Sequence, residues 1–340
     1  MNREAGLEAR GPMRVAYFQL AASVVLFGLA FPILKIGLTA SRVGDRNHID
    51  EYIHHGTGRS AGQCMNWGMM TKAERDAAYN NSDAVKNSAK LNAARIAASH
   101  AFRKAHPGHL DLRYGPKERN VLDLFPAKDA NAPCVIFIHG GYWQRNSRDE
   151  FANLIAGPYA HGWAAALPGY TLAPDASLTE IVAEINAALD WLAANGAQHG
   201  INGKVVLSGW SAGGHLTAMC LGHSRVSAGL AISGVYELGP IRDTYLNDKM
   251  RFTDTELASL SPLRLPMINK PLAITYGTAE LPPLVADSRD LHEKRSGQHL
   301  PGALIPAPGA DHFTIVHELR DADGVLTRQL PLLLDGHPSG

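Results

Sequence analysis

The sequence predicts an α/β fold, a mainly parallel central sheet flanked by helices, and three observations lead to it. Short apolar runs of strand length recur along the chain, helical patterns lie between most of them, and the chain is long enough to cover both faces of a sheet. It has 340 residues, 45% hydrophobic and 19% charged, with 32 Lys+Arg against 32 Asp+Glu. That composition excludes a disordered or collagen-like protein. A neutral chain also has no overall electrostatic reason to seek phosphate backbones, so no nucleic-acid partner is expected.

The elements follow in order. Residues 71–104 are Ala-rich with Lys and Arg along the polar side and read as one or two helices. Residues 119–125 (RNVLDLF) alternate as a half-buried strand would. Denser runs follow at 134–138 (CVIFI), 163–167 (WAAAL), 204–207 (KVVL), 229–232 (GLAI) and 272–276 (LAITY). Between them, residues 178–194 carry Ile181, Ile185, Leu189 and Leu192 at helical spacing. Residues 238–266, with Tyr245, Met250, Phe252 and Leu263, are expected to form a short cap or pocket wall.

The first 64 residues are an N-terminal extension, followed by the folded domain at 65–340. Residues 15–34 carry no charge and would span about 30 Å as a helix, enough for a membrane anchor. The stretch ASVVLFGLAFPILKIGLTA is similar to the first transmembrane helix of drug/metabolite transporters, although one helix transports nothing. A gene start drawn too far upstream is the alternative, with Met65, Met69 and Met70 standing before the patterned region. The protein is membrane-anchored or exported if residues 1–40 belong to it, and cytoplasmic otherwise. His48, His54 and His55 have no carboxylate or Cys at ligand spacing, so neither a metal site nor any other cofactor is expected. Cys64, Cys134 and Cys220 lack any C-x-x-C spacing and read as unpaired.

The chemistry concentrates in three places. Gly209-Trp210-Ser211-Ala212-Gly213 fits G-x-S-x-G, the sharp strand-to-helix turn that lifts a serine hydroxyl above a sheet. KVVLS leads into it and AGGHLTAMCLG continues as a helix, whose N-terminus favours a developing oxyanion. Upstream, His139-Gly140-Gly141-Tyr142-Trp143 closes the strand CVIFI, and its glycine turn can offer backbone donors. Gly140, Gly141 and Ala212 are therefore the candidate oxyanion hole. His139 reads as structural, and Tyr142 and Trp143 as substrate-pocket aromatics.

A serine needs a base and the base needs an acid, in the chain order Ser, acid, His. Of the downstream histidines, His312 stands out in the loop Gly309-Ala310-Asp311-His312-Phe313, after the apolar stretch 303–306. His215 and His317 read as non-catalytic. Glu280, just past LAITYG and before Pro282-Pro283, is the candidate acid, with Asp287 in reserve. Asp311 is too near His312 to orient it and reads as a loop-fixing residue.

With these motifs assembled, the chain resembles the α/β-hydrolase superfamily, and within it the kynurenine formamidase (arylformamidase) and hormone-sensitive-lipase-like esterase group. The resemblance rests on HGGYWQ (139–144), GWSAGGHL (209–216), the G-x-x-[DE] turn 277–280 and DHF (311–313), with PGYTLAPDASL and SGVYEL similar to connecting segments. It covers about residues 70 to 320. It implies a metal-free serine hydrolase of small esters or N-formyl arylamines, with a generic carboxylesterase as the alternative. The expected partner is a small ester or amide, and a homodimer is compatible with the chain. Two features depart from the group: an acidic residue that is Glu rather than the usual Asp, and the N-terminal extension.

Overall fold

The computed structural model describes residues 67–335. The anchor at 15–34, the extension at 1–64, Cys64 and the three histidines His48, His54 and His55 lie outside the described residues.

Eight strands form one sheet in the order β1-β2-β4-β3-β5-β6-β7-β8. They are β1 (His109–Arg113), β2 (Val121–Phe125), β3 (Cys134–Ile138), β4 (Ala164–Pro168), β5 (Val205–Trp210), β6 (Ala228–Ile232), β7 (Leu272–Gly277) and β8 (Leu304–Ala307). β1 and β2 pair antiparallel with each other, and β2 with β4, while β4 through β8 run parallel. Every residue of β3 to β7 is buried, which is why those runs are almost continuously apolar rather than alternating. Two hydrophobic clusters cover the sheet, one containing Ile136, Ile185 and Leu207, the other Val135, Phe151 and Leu330.

Local chemistry sets the flanking helices. The Leu178–Asn195 helix opens on a capping box in which the Ser177 hydroxyl accepts from the Glu180 N–H and the Glu180 carboxylate accepts from the Ser177 N–H. Its buried face carries Ile181, Ile185, Leu189 and Leu192, as their spacing requires. The region at 71–104 resolves into three helices, Lys72–Ala78, Asn81–Ala84 and Ser88–Ala105. Thr71 and Glu74 box the first, and the Asn80 side chain caps the second.

Two expectations are corrected. β2 is buried nearly throughout, because the carboxylate of Asp123 is neutralised there: Arg103 Nε approaches it at 2.9 Å, Arg148 Nε at 3.3 Å, and the Asp111 N–H donates at 2.9 Å. A half-buried strand needs no such pairing. Residues 238–266 do not line the cleft at Ser211 and His312, although Leu246 O accepts from Gln144 Nε2 in the loop beside it. Their helix Asp254–Leu260 docks on the start of the Leu178–Asn195 helix, where Glu256 Oε1 accepts from the Thr179 amide and hydroxyl at 3.1 Å each.

In the parallel part of the sheet, strand C-termini share one edge. The segments leaving β3, β5, β7 and β8 carry the Gly140–Gly141 turn, Ser211, Glu280 and His312 in turn. Far-separated motifs thus meet at a single edge.

Candidate active site

Ser211 ends β5 and precedes the Ala212–Cys220 helix, with φ +58° and ψ −119°. A non-glycine residue there is strained by about 1–3 kcal/mol, and the surrounding contacts must hold it. The Ser211 N–H donates to Ile232 O at 2.8 Å, and the His215 N–H donates back to Ser211 O at 3.1 Å. Gly213 is required sterically: a Cβ there would lie 2.0 Å from Ile138 O. The helix consequently packs directly against the end of β3.

His312 is 4% exposed, and its Nδ1 stands 2.8 Å from Glu280 Oε2. A carboxylate only accepts, so Nδ1 carries the proton and Nε2 is left as an acceptor. The other oxygen of Glu280 is also engaged: Oε1 accepts from Ser233 Oγ at 2.5 Å and from the Gly277 N–H at 2.7 Å. Ser233 was not foreseen. Its only sequence signal is its place directly after β6, next to the strand that delivers the acid.

The loops carrying Glu280 and His312 are tied to each other. Ala279 N–H donates to Ala310 O at 3.0 Å, and Gly309 N–H to Thr278 Oγ1 at 2.8 Å. Asp311 fixes the histidine loop as expected, its Oδ1 accepting from Phe313 N–H at 2.9 Å and Thr314 N–H at 2.8 Å. Trp210 Nε1 donates to His312 O at 2.9 Å and anchors the same loop to β5.

Ser211 and His312 line one cleft of about 80 Å³, with Gly141, Tyr142, Arg145 and Asn146 on one side and Asn81, Ser82 and Asn92 on another. Among the described residues no hydrogen bond joins the Ser211 hydroxyl to His312. Such bonds often tighten only around substrate. The walls at Asn81, Ser82 and Asn92 come from the N-terminal helices, in place of the segment 238–266. Asn92, Trp210 and Phe313 also line a second groove of about 450 Å³, together with Leu154 and Val316.

The oxyanion candidates divide by role. Gly141 lines the cleft, and the Ala212 N–H is the first of its helix, with no intrahelical acceptor. The Gly140 carbonyl accepts from Asn146 Nδ2 at 3.0 Å, and Gly140 itself packs against Trp210 and Ser211. It supports the turn. Tyr142 lines the cleft, with its hydroxyl donating to Tyr79 O at 2.9 Å and accepting from Asn81 Nδ2 at 3.0 Å. Burial raises its phenol pKa, so it stays neutral.

Trp143 differs from the expectation. It is fully buried, edge-on to His215 and Phe252, and does not line the cleft. Asp287 also stands elsewhere, accepting from the amides of Tyr236 at 2.6 Å and Glu237 at 3.0 Å. It is no substitute for Glu280. His139 stacks on Tyr170 at 4.2 Å, and burial pushes its pKa down to about 3. His215 meets Leu260 O through Nε2 at 2.8 Å, with its pKa pushed down by burial to about 4. Both are neutral structural rings. Among the described residues no group of three His, Cys, Asp or Glu could hold a metal ion.

Comparison with known proteins accords with this architecture. The BD-FAE family model matches residues 122–231. The kynurenine formamidase of Salmo salar is 29% identical over 239 residues, covering 65% of this chain and 80% of its own. An esterase of Gibberella moniliformis is 26% identical over 62% of this chain and 76% of its own. Among solved structures, a thioesterase candidate from Silicibacter sp. tm1040 superposes with a TM-score of 0.69 at 27% identity, covering 75% of this chain and 98% of that one. The chain has the α/β-hydrolase fold. Its similarity is to formamidases and esterases, and it is a hydrolase of the α/β-hydrolase type.

Proposed function

We propose that this chain is a serine hydrolase of small carboxylic esters or N-formyl arylamines, acting through an acyl-enzyme with a Ser211–His312–Glu280 triad. The observation that carries the reading is the 2.8 Å Glu280–His312 bond behind a cleft that His312 lines together with a serine held at φ +58°. His312 Nε2 takes the Ser211 proton as Oγ attacks the carbonyl carbon. The carbonyl oxygen becomes an oxyanion that accepts from the Gly141 and Ala212 amides, each donor being worth about 3 kcal/mol in the transition state. His312 then protonates the departing alcohol or amine, and the acyl group remains on Ser211. In the second half a water gives its proton to His312 as it attacks the acyl carbon, and His312 passes that proton to Ser211 Oγ as the C–Oγ bond breaks, releasing the acid and regenerating Ser211.

Glu280 holds the ring in the Nδ1–H tautomer and balances the imidazolium that forms. The formamide reading is favoured by the extent of the match to a formamidase. The neighbouring groove supports a bulky group beside the small catalytic cleft, which suits a formyl acyl group and an aryl leaving group. The esterase reading is favoured by the match to the Gibberella enzyme.

The deciding experiment is kcat/KM of the full chain on N-formylkynurenine beside p-nitrophenyl acetate, with Ser211→Ala as the blank. A strong preference for the formamide supports an arylformamidase, and turnover of the ester alone moves the assignment to a carboxylesterase. Turnover of both substrates undiminished in Ser211→Ala would overturn the serine mechanism.

A further inference from the structure

Arg145 belongs to the wall of the catalytic cleft, six residues after His139 at the end of β3. Its side chain is exposed and makes no hydrogen bond or ion pair among the described residues. The arginines around it are all engaged. Arg148 pairs with Asp111 and Asp123, Arg119 donates to the carbonyls of Tyr170 and Asn146, and Arg95 donates to Glu150 O. Arg145 alone among these four lines the cleft with a guanidinium that no hydrogen bond or ion pair holds.

Its backbone, in contrast, is pinned on both sides. Gln144 Nε2 donates to Leu246 O at 2.8 Å. Asn146 Nδ2 donates to Gly140 O at 3.0 Å, and Arg119 Nη2 donates to Asn146 O at 2.6 Å. The Arg145 carbonyl oxygen presses on the oxyanion turn, 2.4 Å from where a Gly141 Cβ would stand. The loop that shapes the candidate oxyanion hole therefore also fixes where Arg145 emerges. A fixed base confines the entropy lost on grasping a ligand to the Arg145 side chain itself.

The rest of the wall contributes no opposite charge. Asn81, Ser82, Asn92 and Asn146 are neutral, and no Asp or Glu lines the cleft. Glu280 lies behind His312 with its side chain fully buried. The neighbouring groove has Arg95 and Arg320 on its walls, but Glu150 and Asp321 pair with them, which leaves Arg145, among the described residues, the unpaired cation of the two cavities. Tyr142 and Tyr245, the phenols beside Arg145, are kept neutral by burial, and the Tyr142 hydroxyl is already bonded to Tyr79 and Asn81. A guanidinium offers paired, planar donors that match a carboxylate, and the protein supplies none here.

We propose that Arg145 is a specificity-determining residue that binds a carboxylate carried by the substrate close to the scissile bond. Resting on the serine-hydrolase reading of this cleft, the inference narrows the substrate class to anionic esters or amides. The carboxylate can be attached on the leaving-group side or on the acyl side. The shared chemistry is the same, and the two sources are separable by experiment.

The test compares matched pairs on the full chain, the Arg145→Gln variant and the Arg145→Lys variant. 4-Acetoxybenzoate against its methyl ester reports a leaving-group carboxylate, and mono-4-nitrophenyl succinate against 4-nitrophenyl butyrate reports an acyl one. The expected result is a ratio of anionic to neutral kcat/KM that falls about tenfold in Arg145→Gln for one pair, mainly through KM. Arg145→Lys restores part of it, and raising the salt concentration shrinks the wild-type ratio.

A second readout does not require turnover. In the Ser211→Ala background, binding of 4-acetamidobenzoate is compared with 4-acetamidobenzamide, and succinanilic acid with butyranilide, by calorimetry and ligand-observed NMR. A carboxylate preference that disappears on adding Arg145→Gln supports the inference even if no ester is cleaved and the catalytic reading fails. Ester turnover with ratios and affinities indifferent to Arg145 leaves the catalytic reading standing and overturns this one. Equal binding, or equal absence of binding, within every pair overturns it as well.

Discussion

Gly277 and Ala310 touch where the acid loop meets the histidine loop: a Cβ on Gly277 would sit 2.2 Å from the Ala310 carbonyl oxygen. The acid and the base are thus brought together by backbone contact between their loops as well as by their own hydrogen bond. Gly277→Ala is expected to push those loops apart and to misplace His312 relative to Ser211. A displacement near 1 Å can cost about 10²-fold in rate, so kcat should fall by that order with a smaller change in KM. Steady-state kinetics on whichever ester is turned over checks this, and unchanged kcat would show that the contact does not govern catalysis.

Glu280 is held at three points, by His312, Ser233 and the Gly277 amide. Removing its charge as Glu280→Gln keeps the size but lets the amide favour the wrong tautomer of His312. The rate is expected to fall about 10²–10⁴-fold, less than for Ser211→Ala. Ser233→Ala should be milder, about tenfold, since it removes one bond to the acid and leaves the charge. If Ser233→Ala equalled Glu280→Gln, the serine would have to act on substrate directly.

These supports bear on what a sequence discloses. The Ser211 turn, the Gly140–Gly141 turn and the loop around His312 are local patterns, each following an apolar run, and the topology of a parallel sheet brings them together. Glu280 was legible for the same reason. Residues recruited across the fold were not: Asn81, Ser82 and Asn92 reach the cleft from helices that precede the sheet, with ordinary polar side chains and no spacing rule. Trp143 was misassigned because an aromatic beside the oxyanion turn has two directions open to it, and the backbone twist at φ +59° goes with a ring buried in the core. β1 escaped notice because HLDLR is mostly exposed and lacks the apolar density of its neighbours. Asp123 looked like a solvent-facing strand position, since nothing local announces that Arg103 and Arg148 will meet it.

Asp287 predicts a pH dependence of stability. Burial raises its carboxyl pKa from 3.8 to about 8, against the opposing effect of the Tyr236 and Glu237 amides. Between those two values the folded state holds a proton that the unfolded chain has released. Unfolding then loses a proton, so this residue's contribution to stability falls as pH rises from about 4 to about 8 and is level beyond. Asp287→Asn removes the titration while keeping an acceptor oxygen. The difference in Tm between variant and wild type should therefore grow in favour of the variant across that window. A difference constant from pH 4 to 9 would mean that Asp287 is ionised throughout.

The buried pair at β2 makes the last prediction. Asp123 has no exposed surface and is shared by Arg103 and Arg148, while Arg148 also reaches Asp111. Removing only the carboxylate leaves two guanidinium groups at low exposure with the exposed Asp111 as their one remaining carboxylate partner among the described residues. Breaking a buried pair from one side typically costs about 3–5 kcal/mol. Asp123→Ala should lose stability in that range by urea denaturation, with the midpoint lowered and the slope unchanged. Asp123 does not line the cleft, so at temperatures where the variant is folded its kcat should stay near that of the unmodified chain. A loss below 1 kcal/mol would show that water reaches the pair and screens it.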